Sequence, residues 1–159
     1  MYGGSRLRLF VFAVSALLMV AASSSAQTTY GVRAGFAADP DEFVIGGHLE
    51  TPLTPASRLA LRPSFEVGIG ENTATLSANL DIVYWAQLPS PAWSLYFGGG
   101  PSFNGVHVDE EGNDVHGGAN AIAGFQHASG VFAELRAGGG AGPAGLKAMV
   151  GYVFNYKKK

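Results

Sequence analysis

From residue 28 onward, apolar and polar positions alternate with a period of two, the repeat of a strand with one apolar and one polar face. Leu59, Leu61, Pro63, Phe65, Val67 and Ile69 interleave with Arg58, Ala60, Arg62, Ser64, Glu66 and Gly68. Ala74, Leu76, Ala78, Leu80, Ile82 and Tyr84 then interleave with Thr75, Ser77, Asn79 and Asp81. Each run reaches the roughly 9 to 11 residues that a tilted strand needs to cross a bilayer. Continued along the chain, the pattern predicts eight strands, at 28–38, 42–51, 58–70, 73–86, 93–105, 116–126, 131–139 and 145–156. Turn-forming residues separate them, among them Asp39-Pro40-Asp41, Glu71-Asn72 and Gly140 to Ala144. Pro63 and Pro101 fall inside predicted strands, where each removes a ladder donor. A bulge or a displaced strand boundary is expected at both.

The first residues follow a different pattern. Arg6 and Arg8 precede an apolar run from Leu9 to Ala22, followed by Ser24-Ser25-Ala26. This is the layout of a secretory signal peptide, so residues 1–26 are expected to be cleaved and 27–159 to form one barrel domain. No Cys follows the run, because the chain contains none. No later segment holds the roughly 18 consecutive apolar residues of a membrane-spanning helix.

Composition decides which way the barrel faces. Charged residues make up 14% of the chain, against roughly 25% in ordinary soluble proteins, and the formal net charge of −2 gives no nucleic-acid footprint. The polar stripes hold Gly, Ser, Asn and scattered charges rather than the Lys and Glu of a water-facing exterior. They suit the narrow interior of an eight-stranded barrel, which side chains just fill. Arg33, Glu50, Arg58, Arg62, Glu66, Asp81, Glu134, Arg136 and Lys147 share that inward parity and are expected to pair with one another. Tyr30, Tyr84, Trp93, Tyr152, Phe154 and Tyr156 fall at strand ends of one edge, as an interfacial aromatic girdle would. Phe36, Phe43 and Phe103 make a sparser set at the other edge.

The last strand, Gly151-Tyr152-Val153-Phe154-Asn155-Tyr156, resembles the terminal signal of bacterial outer-membrane barrels. With the leader and the strand count, the chain resembles the small OmpA/OmpX-type and opacity-like outer-membrane barrels. Lys157, Lys158 and Lys159 depart from that pattern, in which an aromatic residue stands last. The resemblance implies an all-β, eight-stranded, antiparallel up-and-down transmembrane barrel in the bacterial outer membrane. It implies no cofactor, with outer-membrane lipids and the barrel-assembly machinery as partners, and an envelope-structural or surface role for a monomer.

Two motifs carry sharper chemistry. The segment from Val106 to His116 reads nearly the same in both directions. A turn over Glu110 to Asn113 would set His107 opposite His116 and Asp109 opposite Asp114. Directly opposed residues share a face, so the four could converge on a divalent cation; the bland expectation is a solvated acidic hairpin, open to an external partner. His127-Ala128-Ser129 is similar to the His-x-Ser element of outer-membrane lipid A deacylases. Glu134, the nearest acid, has the opposite parity to the one an acid–His–Ser relay needs, and Gly130 departs from that family's polar residue. The main expectation is therefore non-enzymatic, with a packed lumen that is not a diffusion pore. A secreted, soluble calycin-like barrel carrying a small ligand is the alternative with the same strand count.

Overall fold

The computed structural model describes residues 28–38, 41–71, 73–108, 112–140 and 145–155, with backbone only at 106–108, 112–114 and 140. The expected leader, the cleavage site, Tyr156 and the lysine tail lie outside the described residues. Eight strands follow in order: β1 (Thr29–Ala38), β2 (Glu42–Pro52), β3 (Leu59–Ile69), β4 (Thr73–Gln87), β5 (Trp93–Val108), β6 (Gly112–His127), β7 (Val131–Gly140) and β8 (Leu146–Phe154). Each pairs antiparallel with its sequence neighbour, and β8 closes on β1 from Tyr30↔Phe154 to Ala38↔Leu146. Closure leaves no open sheet edge.

The period of two becomes an inside and an outside. In β3, Ala60, Arg62, Ser64, Glu66 and Gly68 are buried, while Leu59, Phe65 and Ile69 are exposed. In β4, the sequence Thr75, Ser77, Asn79, Asp81 and Val83 turns inward, with Leu76 and Ile82 outward. Every Asp, Glu, Lys or Arg of a strand whose side chain is described faces the lumen. The outer wall is correspondingly apolar, with Val32, Phe36, Ile45, Phe97, Phe125, Leu135 and Val150 among its exposed side chains.

Inward glycines determine how the interior fills. A Cβ on Gly124 would strike the Tyr96 ring, and one on Gly151 would strike the Phe132 ring. The missing side chains thus let two aromatic rings lie across a lumen too narrow for both. At Gly130, φ is +98° and its N–H returns to the His127 carbonyl at 2.9 Å. This conformation closes the three-residue connection between β6 and β7 and suits glycine.

The structure departs from the sequence reading at four places. Pro63 and Pro101 stay inside β3 and β5 without a bulge. The β2–β3 register is the same on both sides of Pro63, from His48↔Ser64 to Thr51↔Leu61, and only the pairs between are missing. The β4–β5 ladder likewise skips from Asn79↔Ser102 to Ile82↔Gly99. A proline that cannot donate opens a short gap and need not shift the register. Arg58 is exposed just before β3 and donates to Gln87 Oε1 at 3.2 Å instead of facing inward, because strand parity ends where the strand does. β5 and β6 run further than the apolar pattern, to Val108 and from Gly112.

The fourth difference is the register of that hairpin. His107 pairs with Asn113, His116 with Asn104, and Asp114 with Val106. The connection spans residues 109–111, and the ladder is offset by three residues from the symmetric pairing. An odd offset moves a residue to the other face of the pleat, so His107 and His116 occupy alternate positions and do not oppose each other. Asp109 lies outside the described residues.

Candidate functional site: the charged lumen

Six of the eight strands deliver charged groups to one connected network inside the lumen. Arg33 comes from β1, Glu50 from β2, Arg62 and Glu66 from β3, Asp81 from β4, Glu134 and Arg136 from β7, and Lys147 from β8. Glu134 is the hub. Its Oε1 accepts from Arg33 Nη1 at 3.0 Å and Arg136 Nη2 at 3.4 Å, and its Oε2 from Arg62 Nη1 at 3.0 Å and the Tyr96 hydroxyl at 2.9 Å. Glu66 bridges Arg33, at 2.5 Å, and Lys147, at 2.7 Å. Glu50 takes both Nε and Nη2 of Arg62 on one oxygen, at 3.0 and 2.6 Å, and Trp85 Nε1 on the other at 2.9 Å. Asp81 accepts from Arg136 Nη2 at 3.0 Å.

Four cations and four carboxylates therefore share one buried network. Isolated charges in such a space would be strongly unfavourable; pairing and hydrogen bonding offset much of that cost. The Arg62 guanidinium also lies 4.3 Å from the Tyr96 ring centre, an attractive placement for a desolvated cation. Asn120 extends the network, accepting from Arg136 Nη1 at 2.9 Å and donating to Asn79 Oδ1 and to the Gly100 carbonyl, each at 3.3 Å. The Gly100 carbonyl faces β6, its ladder partner being Asn120 itself, so this side chain reinforces the β5–β6 pairing next to Pro101.

Toward the end that carries both termini, the lumen turns apolar. Val83, Tyr96 and Ile122 cluster there with Trp85 against them, and Phe132 and Val153 are buried. His48 stacks edge-on against Phe132 at 5.5 Å. The sequence reading missed Tyr96, Trp85, Asn120 and His48 as interior residues. Their inward parity is legible in the sequence, but a reading by charge alone passes over them.

The aromatic positions stand on the outer wall near that same end. Tyr30 stacks on Phe154 at 5.2 Å, Phe154 meets Tyr152 at 5.1 Å, and Tyr84 meets Phe97 at 5.3 Å. Trp93 lies 4.9 Å from His127. At the opposite end, Phe36 and Phe43 meet edge to face at 5.5 Å, and Phe103 is exposed.

His127 and Ser129 do come together, with Nδ1 and Oγ 2.9 Å apart, but the Ser129 backbone N–H also donates to the same Nδ1 at 3.1 Å. One ring nitrogen thus caps a tight turn. Glu134 is committed to three guanidiniums and a phenol inside the barrel, so it does not orient this imidazole. Among the described residues, no three His, Asp or Glu side chains stand close enough to hold a metal ion.

No family model matches the sequence, and no curated protein matches it either. Solved structures do. The N-terminal β-barrel domain of Pseudomonas aeruginosa OprF superposes with a TM-score of 0.61 at 20% identity, over 80% of this chain and 100% of that one. The fold is that of the small eight-stranded outer-membrane barrels. Neisserial surface protein A (NspA) matches with a TM-score of 0.63 at 14% identity, over 81% of this chain and 96% of its own. The outer-membrane enzyme PagL also matches, with a TM-score of 0.53 at 14% identity, over 82% of this chain and all of its own. At these identities the likeness is one of architecture, and the same architecture carries an enzyme in one case, so function has to be argued from the site.

Proposed function

We propose that this protein is an integral outer-membrane barrel of a diderm bacterium with an envelope-structural role, and that its lumen is a packed plug without enzymatic activity. The observation that carries the reading is the segregation of charge. The described strand wall is apolar outside, while the strand charges are gathered within, the reverse of what a water-immersed barrel requires. The aromatic positions at both wall ends fit two membrane interfaces. In this orientation the termini and the connections at 53–58, 88–92 and 128–130 face the periplasm. Lipids cover the wall and the barrel-assembly machinery inserts it, the last strand supplying the signal.

The interlocked network and the Trp85, Tyr96 and Phe132 rings favour a plug over a diffusion pore. The two-residue His127–Ser129 cap, with Glu134 engaged elsewhere, favours a non-enzymatic role. Cell fractionation tests the membrane assignment: the protein should need detergent for extraction and migrate anomalously on gels when unheated. Recovery in the soluble fraction would sink it and restore the calycin-like alternative. In planar bilayers, purified protein should give no large steady conductance, and such a conductance would refute the plug.

A further inference from the structure

The four cations and four carboxylates of the central network balance, and one buried carboxylate stands outside that balance. Glu42 opens β2 and is only 5% exposed. Its Oε1 accepts from Thr75 Oγ1 at 2.7 Å, and it makes no ion pair with any described residue. A neutral hydroxyl is a weak partner for a buried carboxylate, which ordinarily requires a positive charge.

The backbone holds Glu42 in this position. A Cβ on Gly68 of β3 would fall on the Glu42 carboxylate, and one on Gly70 would lie 3.2 Å from its Cγ. Neither glycine has the positive φ that would explain it conformationally. The two therefore leave a cradle along which the side chain runs inward.

The carboxylate borders a lumenal cavity of about 50 Å³, between the network and the end away from the termini. That is room for roughly three or four water-sized sites. Thr75, Asn79, Ser102, Asn104 and Asn120 line it with neutral polar side chains, of which Asn79 Oδ1 and Asn120 Oδ1 already accept one hydrogen bond each. Arg136 and Lys147 also border it, and both are already engaged by network carboxylates. The described residues of the connections at this end include the acids Asp41 and Glu71 and no Lys or Arg, a charge that favours the approach of cations.

We infer that Glu42 and the oxygens around it form a binding site for a single monovalent cation, an alkali metal ion or a small primary ammonium. One surplus negative charge matches one positive charge. Arg136 and Lys147 nearby oppose a divalent ion, and oxygen-only ligands suit a hard cation.

The test uses the full mature chain refolded in detergent micelles. Its unfolding temperature is followed in sodium, potassium and methylammonium chloride against choline chloride at equal ionic strength, choline being too large for the cavity. Wild-type protein should be stabilised by at least one of the three small cations, and which one distinguishes an alkali ion from an ammonium. Glu42→Gln should abolish the difference, and Gly68→Ala, which places a methyl group where the carboxylate lies, should weaken apparent affinity tenfold or more. Sodium-23 NMR on wild-type protein needs no variant: the line should broaden, and competing potassium or methylammonium should narrow it. Identical unfolding temperatures in all four salts with an unbroadened sodium line would overturn the inference. So would a cation effect that survives in folded Glu42→Gln, or calcium chloride stabilising more strongly than any monovalent salt.

Discussion

Glu134 concentrates more of the interior than any other side chain, since Arg33, Arg62, Arg136 and Tyr96 all converge on it. Glu134→Gln keeps the shape but leaves three guanidiniums with one fewer negative charge in a closed space. A buried pair broken on one side costs about 3–5 kcal/mol, and a loss of that size is expected in urea unfolding of the refolded barrel. Glu71→Gln, on an exposed connection, should stay within about 0.5 kcal/mol. At this scale the sequence was informative about charge and silent about partners. Parity placed Arg33, Arg62, Glu66 and Glu134 on one side of the wall, but which strands face one another across the lumen depends on closure. Tyr96 shares the inward parity, and its phenol reaches Glu134 where Gly124 leaves room for the ring.

Strand positions were legible to within one or two residues wherever large apolar side chains alternated with small or polar ones. The exceptions have physical causes. β5 and β6 extend over Val106 to Val108 and Gly112 to Val115 because backbone pairing can outrun the apolar stripe that announces it. The hairpin register, which decides whether His107 faces His116, depends on the length of the connection rather than on the symmetry of the flanking letters. The prolines give a prediction that belongs to strands. Pro63→Val and Pro101→Val each return an N–H to a ladder gap, and a restored hydrogen bond is worth about 1 kcal/mol. Each variant should raise the unfolding midpoint by that order. An unchanged midpoint in both variants would mean that the returned N–H finds no ladder acceptor across the gap.

For the whole molecule, the decisive property is the sign of the environment outside the wall. Leu135 faces outward in mid-β7. In a lipid-immersed wall, Leu135→Arg should cost about 2–4 kcal/mol near the membrane midplane. On a water-facing barrel the same change would be neutral or favourable, so the two readings separate in one unfolding experiment in micelles or vesicles. The low charge content that first suggested a membrane also takes on a layout. Carboxylates dominate the connections at one end, a balanced network occupies the middle of the lumen, and Arg58 stands at the other end.

Alternation by itself determined the strand class, the approximate strand limits and the two faces of each strand, because the pleat converts sequence parity directly into direction. Only the closed tertiary structure decided which faces meet. Ion pairs such as Arg33 with Glu134, far apart in sequence, and the position of Glu42 over Gly68 depend on the register between neighbouring strands and on the curvature of the whole wall. Those are properties of eight strands packed together, and no local stretch of sequence contains them.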